Sequence, residues 1–262
     1  MQRKITVLME RAKIMKAKLD SKEDLPQITP AISTEYIYKD PQTNKVERNE
    51  TITLNIEEKL AEFENFYQKT NIDLPPDFAE SIKDIWNRNY DQIEQEISQN
   101  GFDEILIIPA GLNLTDLSEK MKMQDGYWES NNFKEGGSFA GVKSQNTDKV
   151  RLILVHKTQN LKDRPELAQT LNIKGKDVNR DQILTLEDYL IFQRKYFEEN
   201  QRHLDEDGWT WLATEVGMPA GQAGARLVYS HWNPSNGKLH VLAHHLEHQD
   251  ENLGARPSRS FY

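Results

Sequence analysis

The sequence predicts an α+β protein in which a mainly helical N-terminal region precedes a C-terminal domain of mixed composition. Apolar residues recur at helical spacing through most of the first hundred residues. From residue 104 onward, short β-branched runs and turn residues alternate with helical segments, and no regular βαβ repeat is visible. We therefore place the helical region at 1–100 and a single domain at 101–262.

Three helices are predicted in the N-terminal region. Apolar spacing predicts an amphipathic helix over 5–19, whose apolar side is suited to packing or self-association. Segment 21–50 is polar and contains three prolines, so we expect a linker or extended arm with a short strand at 35–39. Further helices are predicted over 56–69 and over 77–98, the second after two prolines and before Asn-Gly.

The first half of the C-terminal domain contains two apolar, β-branched runs. They cover 104–109 and 150–156 and predict buried strands. A short capped helix is expected over 115–123. Segment 125–148 is rich in Gly, Ser, Asn and aromatic residues, and we expect a loop with short strands there.

The second half begins with a capping box, Thr185-Leu-Glu-Asp188, that predicts the start of a helix. Beyond this helix, strands are predicted over 208–214 and 225–229, on either side of a Gly-rich turn at 217–224. The helix has an aromatic stripe that is expected to face the core, formed by Tyr189, Phe192, Tyr196 and Phe197.

Composition excludes several classes of function. The formal net charge of −9 argues against a general nucleic-acid surface, because phosphate binding depends on clustered Lys and Arg. No run approaches the roughly 20 apolar residues of a membrane helix, and the first residues lack the apolar core of a signal peptide, so we expect a cytoplasmic protein. The chain has no cysteine, which excludes disulfides, thiolate metal sites and Cys nucleophiles.

Histidine is concentrated near the C-terminus, where five of the seven histidines lie between His231 and His248. One explanation is a zinc-dependent hydrolase, because His244, Glu247 and His248 match the H-x-x-E-H pattern on a helix, with the glutamate as base. The apolar spacing permits that helix, but the same segment equally suits a strand followed by an irregular loop. Solvated histidines without a role are a further alternative.

A binding surface accounts for the neighbours of these histidines as well. Tyr, His, Asn and Ser are interspersed with small and apolar residues from about residue 225 to the end. These side chains are typical of adaptable recognition surfaces, since they combine planar contact area with flexible hydrogen bonding. We therefore expect a ligand-binding protein and no enzyme.

Three motifs carry a resemblance to a known family. Gly208-Trp-Thr-Trp-Leu-Ala-Thr, Ala225-Arg-Leu-Val-Tyr-Ser-His-Trp and Leu253-Gly-Ala-Arg-Pro-Ser-Arg-Ser-Phe resemble the variable proteins of diversity-generating retroelements. The resemblance covers about 102–261. It implies a C-type lectin-like domain, related in fold to formylglycine-generating enzymes, in which adenine-directed mutagenesis produces massive sequence variation over about 225–261.

The resemblance also implies which residues contact the ligand and which are fixed. Trp232, Leu239, Val241 and a strand over 254–261 would be scaffold. The hypervariable contacts would be Tyr229, His231, Asn233, Ser235, Asn236, His240, His245, Glu247 and Asn252. A protein ligand is expected, its identity is open, and an oligomer would form through the N-terminal helices.

No cofactor and no metal is expected. The Glu-Pro-Asn and Gln-Pro-Asp motifs of calcium-dependent lectins are missing, and Trp232-Asn-Pro is only a partial match to their second motif. The acidic run at 205–207 is expected to be a solvated loop rather than a cation site. An assembly protein in which the polar C-terminal segment is idle is the third alternative.

Overall fold

The structure, a computed structural model, describes residues 31–39, 46–121, 127–129, 142, 149–217 and 224–262. The predicted helix over 5–19, most of the predicted loop over 125–148 and residues 218–223 of the Gly-rich turn lie outside the described residues. Self-association through the first helix therefore stays a prediction. None of the described helices is long and apolar enough to cross a membrane.

The predicted linker contains a pair of strands. β1 (Ile32–Lys39) and β2 (Val46–Leu54) run antiparallel, with Ile32 opposite Leu54. Pairing satisfies the backbone hydrogen bonds that a polar segment would otherwise leave to water. The short strand expected over 35–39 is confirmed as part of β1, whereas residues 46–50, expected to be linker or extended arm, form the start of its partner β2.

Two helices follow, close to their predicted positions. α1 (Ile56–Lys69) begins at Asn55, whose side chain accepts a hydrogen bond from the Glu57 amide. α2 (Phe78–Asn100) ends at Gly101, which has the left-handed φ of 72° that glycine adopts without strain.

These helices share a core with the C-terminal domain. Phe63 of α1 and Trp86 of α2 belong to the same cluster of buried side chains as Ile153 and Phe261. The Tyr67 hydroxyl of α1 donates to a backbone carbonyl of the 104–108 strand. The predicted boundary near residue 100 therefore does not separate two cores.

A three-stranded antiparallel sheet forms the centre of that core. β3 (Glu104–Ile108) and β5 (Arg151–Val155) are buried along their whole length, as their continuous apolar runs predict, and β10 (Ser258–Phe261) pairs with the other edge of β5. α3 (Leu114–Lys120) follows β3, and α4 (Leu186–Asn200) begins with the predicted capping box. Three of the four stripe residues of α4 are buried, and Phe197 is half-buried.

A closed ring of ion pairs connects α1 to α4. Lysine and glutamate alternate around it, with Nζ to carboxylate oxygen distances of 2.7 to 3.4 Å for five of the six contacts. The nearby carboxylates raise the pKa of Lys157 against the opposing effect of burial. In order around the ring, the residues are Lys59, Glu104, Lys157, Glu199, Lys195 and Glu62.

The second sheet has five strands in the order β4-β8-β7-β6-β9. These are β4 (Tyr127–Glu129), β6 (Trp209–Val216), β7 (Arg226–Asn233), β8 (Lys238–His245) and β9 (Leu253–Ala255). β6, β7 and β8 are successively antiparallel, whereas β4 and β9 pair in parallel at the two edges. The α+β class is confirmed.

The single strand predicted over 254–261 is two strands. β9 belongs to the five-stranded sheet and β10 to the three-stranded sheet, with Arg256 and Pro257 between them. Proline lacks the N–H that a continuous ladder needs, and the chain passes from one sheet to the other at this point.

Candidate functional site

The five-stranded sheet has one face in the main core and an opposite face that we call the outer face. Burial alternates along β8, where Leu239, Val241 and Ala243 are buried. Residues directly opposite on paired strands lie on the same face, so the outer face includes His231 opposite His240 and Tyr229 opposite Leu242. Its accessible side chains are Trp209, Tyr229, His231, Asn233, Lys238, His240, Leu242 and His244.

Aromatic rings contact one another at the centre of this face. The Trp209 and His231 ring centroids are 3.4 Å apart, and Trp209 and Tyr229 are 5.0 Å apart. His231 meets His240 edge-on at 5.0 Å across the two strands. Such contacts hold the side chains in place, which lowers the entropy lost when a ligand binds.

One end of the outer face is covered by the segment before α4. Trp211 is fully buried there and donates its indole N–H to the Ile173 carbonyl at 2.9 Å. Leu227 packs beside it with Val178 and Ile183 in a second, smaller hydrophobic cluster. The covered end anchors the sheet, and the side chains from Tyr229 onward stay partly exposed.

The central histidines are neutral at neutral pH. Burial, and then the charge of His240, lowers the pKa of His231 to about 4. Burial and the Lys238 ammonium lower the pKa of His240, and burial and His248 lower that of His244. The outer face therefore presents uncharged rings that can stack on a ligand and exchange hydrogen bonds with it, while Lys238 is its one cation among the accessible side chains named above.

Six of the nine predicted contacts are on the outer face or the turn next to it. Tyr229, His231, Asn233 and His240 lie on the face, and Ser235 and Asn236 lie in the exposed β7–β8 turn. The Asn233 side chain accepts from the Ser235 amide at 2.9 Å, and the Asn236 amide lies 3.0 Å from Nε2 of His240. The turn is thereby joined to the face.

The other three predicted contacts lie elsewhere. His245 is exposed at the end of β8, and its position in the strand alternation puts it on the side opposite to the outer face. Glu247 pairs with Lys176 at 3.0 Å and Lys174 at 3.6 Å beyond the covered end. Asn252 is exposed in the turn before β9, where it borders a narrow cleft beside Trp209. The structure therefore does not bring His245 and Glu247 together with the central rings.

The zinc-hydrolase alternative requires a helix that carries both His244 and His248, and this prediction is wrong. His244 and His245 end strand β8, and their segment forms a strand because its apolar residues alternate against the core. The His244 and His248 rings stack at 3.8 Å, His244 Nδ1 accepts from the His245 amide, and Lys176 engages Glu247. In the part of the chain that the structure describes, no three His, Asp or Glu side chains form a group that could hold a metal ion.

Trp209, Leu242 and His248 belong to or border the face but are absent from the predicted contacts. Trp209 is the largest ring at the centre, and His248 lies 6.3 Å from Tyr229 between ring centroids. A usable signal existed for Trp209, since the alternation Trp-Thr-Trp puts it on the same face as Trp211. The sequence did not show that β6 pairs with β7, and this pairing brings Trp209 next to His231.

A buried charge pair fixes the loop that leads into Trp209. Arg256 is fully buried, and its guanidinium donates to Asp205 at 2.7 Å and to the Thr158 carbonyl at 2.9 Å. Asp205, at 1% exposure, was expected to be a solvated loop charge, and that expectation is wrong because Arg256 draws it into the core. The 205–208 loop therefore holds Trp209 against the sheet.

Comparison of the chain with protein-family models, curated proteins and solved structures gave no significant match.

Proposed function

We propose that this chain is a ligand-binding protein whose outer face contacts the ligand, with no reaction of its own. One observation carries the proposal. Along β7 and β8, Trp232, Leu239 and Val241 face the core, whereas Tyr229 and His231 face outward and remain partly exposed. Alternate residues of these strands thus pack in the core or are available for contact with a ligand.

The chemistry of the exposed residues supports binding. Trp and Tyr are frequent anchors of protein interfaces, because a rigid ring buries a large area at low entropic cost. Trp209 and Tyr229 are ordered by their neighbours before any ligand arrives. A protein ligand suits this face best, since the rings are spread over several strands.

We further propose a C-type lectin-like fold diversified by a retroelement, as the sequence resemblance implies. The alternation of core-facing and outward-facing residues along β7 and β8 supports diversification. The outward-facing residues can be exchanged without loss of the fold, because surface substitutions usually change stability by less than about 0.5 kcal/mol. Mutagenesis at adenines yields mainly Asn, Tyr, His, Ser and Asp, and residues of this kind occupy the outer face and the turn. The buried Arg256 and Phe261 would belong to the constant scaffold.

Two matched display libraries test whether the outward-facing residues of β7 and β8 can be exchanged and the core-facing ones cannot. The outer-face library randomises Tyr229, His231, Asn233 and His240. The core-facing library randomises Val228, Trp232, Leu239 and Val241. We expect most outer-face members to display as folded protein, and few core-facing members, because large-to-small core changes cost about 2–5 kcal/mol.

Selection of both libraries on an unrelated purified protein, such as lysozyme, then tests binding. We expect binders from the outer-face library alone. Equal loss of folding in the two libraries would contradict the proposal.

The diversification has its own test in the genome. We expect a near-copy of the codons for about 225–261 beside a reverse transcriptase gene, differing mainly at adenines. Absence of that copy would overturn diversification and leave the binding face in place.

A further inference from the structure

A narrow cleft opens beside Trp209 at the edge of the outer face. Trp209 forms one wall, and the exposed residues Asp207, Glu251 and Asn252 are at its rim. The space inside it is about 20 Å³, enough for one water molecule, so a larger group of a ligand can only lie across its open mouth. We call it the Trp209 cleft.

Acidic groups surround the Trp209 cleft. Glu251 and Asp207 line it, and the charge of Asp250 reaches Tyr229, whose pKa is raised mainly by burial and then by this carboxylate. Among the described residues, neither Asp250 nor Glu251 forms an ion pair with a cationic side chain. Glu251, which lines the cleft beside Trp209, therefore has no cationic partner among the residues that the structure describes.

Among the described residues that line the cleft, Lys162 is the one cation. Lys162 pairs with Asp207 at 3.4 Å, and both side chains are at least half exposed. Arg256 is buried and already neutralises Asp205 at the inner end of the cleft. Lys238 is opposite Asn233, at the far end of β7. The local charge is thus negative, as is the net charge of −9 for the whole chain.

We propose that a basic side chain of the protein ligand, an arginine or lysine, binds across the mouth of the Trp209 cleft. The inference rests on the proposed function, since it names the chemistry of one contact on the outer face. A guanidinium or ammonium group over an indole is attracted by the ring, and arginine stacks flat on it. The Glu251 and Asp207 carboxylates at the rim then accept its N–H groups, and the Asn252 side chain supplies an amide oxygen.

The neutral histidines fit this ligand chemistry. The His231 ring contacts the Trp209 ring as an uncharged imidazole, so this neighbour does not repel an incoming cation. Lys162 is the competitor, because its ammonium group already holds Asp207. Replacing it should strengthen binding, which a purely structural role for this cleft does not predict.

The test uses N-acetyl-arginine amide as the probe and N-acetyl-citrulline amide as its uncharged, nearly isosteric control. Both are titrated into the full chain, and the indole N–H signal of Trp209 is followed by NMR. We expect a saturable shift with the arginine probe and little with citrulline. An equal response to both probes, or none at Trp209, overturns the proposal.

Substitutions at the rim give effects of opposite sign. Glu251→Gln should weaken the arginine probe by about two- to fivefold, the range of an exposed ion pair. Lys162→Gln should strengthen it by about twofold for the same reason. Trp209→Leu keeps apolar volume but removes the indole, and should weaken binding by roughly threefold or more. For this variant the backbone amide signal of Asn252, which lines the same cleft, replaces the indole signal as the readout. The matched control, Glu64→Gln on the exposed side of α1, should change nothing.

The two proposals fail separately. If the outer-face library yields binders but the arginine probe does not shift Trp209, the basic contact is wrong and the binding face stands. If Glu64→Gln weakens the probe as much as Glu251→Gln, the attraction is only that of the net charge, and the Trp209 cleft is again overturned.

Discussion

Replacing Arg256 with methionine should reveal how strongly the scaffold depends on one buried charge. The Arg256 guanidinium is fully buried and donates to the carboxylate of Asp205 and to the carbonyls of His156, Thr158 and Gln159. Methionine fills much of the same space without a charge or a donor. Arg256→Met therefore leaves one carboxylate and three carbonyls without their cationic donor.

The magnitude follows from what remains at Asp205. Its second oxygen still accepts from the hydroxyls of Tyr189 at 3.0 Å and Thr210 at 2.9 Å, which partly stabilise the charge. Removing one partner of a buried ion pair typically costs about 3–5 kcal/mol. We expect a loss in this range, equivalent to a fall of roughly 10 °C in Tm for a domain of this size.

Urea denaturation of four proteins measures the pair directly. They are the wild type, Arg256→Met, Asp205→Asn and the double variant. Arg256→Met leaves the buried carboxylate of Asp205 without its cation, and Asp205→Asn removes that carboxylate. The double variant should therefore be about 2–3 kcal/mol more stable than the sum of the two separate losses predicts. A loss below about 1 kcal/mol for Arg256→Met, or additive losses in the cycle, would refute this account of the scaffold.

Three further predictions concern other parts of the fold. Glu104→Gln breaks two contacts of the ion-pair ring, and because both lysines keep a second carboxylate it should cost about 1–2 kcal/mol. The Glu104 side chain is buried and salt screens buried pairs weakly, so most of this cost should remain in 1 M NaCl; a cost that disappears in urea denaturation at 1 M NaCl would contradict this. Folding lowers the pKa of both His231 and His203 from 6.5 to about 4, so the unfolded chain binds more protons than the folded chain between these pH values. The free energy of unfolding should therefore be at its full value above pH 6.5 and decline toward pH 4. In urea denaturation at a series of pH values, His231→Gln should reduce that decline. Gly254→Ala would put a Cβ 2.8 Å from the Thr170 carbonyl oxygen and should cost about 1–3 kcal/mol; an unchanged Tm would show that this contact relaxes freely.

Local patterns predicted most of the elements because the forces that form them act between near neighbours. The capping box at Thr185 and the left-handed glycine after α2 are backbone requirements of the adjoining residues themselves. The buried strands β3 and β5 were predictable because a strand covered on both faces is a nearly continuous apolar run, as residues 105–108 and 152–155 are.

Predictions that depended on distant partners failed. Only a short strand over 35–39 was predicted in the segment that forms β1, because its pairing with the polar strand β2 stabilises both and no single window of sequence reports that pairing. The H-x-x-E-H segment fits a helix by spacing, but packing of Leu239 and Val241 against the core makes the residues up to His245 a strand, and the rest of the segment begins with a turn. Asp205 looked solvated, because its partner Arg256 is 51 residues away.

The sequence by itself determined that residues about 225 to the end carry an unusual set of polar and aromatic side chains, and it predicted the α+β class from local periodicity. Only the tertiary structure decided which of those side chains share a surface. Strand register sends alternate residues to opposite faces, so it grouped Tyr229, His231 and His240 and left His245 and Glu247 outside. It also added Trp209, since contacts between strands depend on pairing and not on distance along the chain.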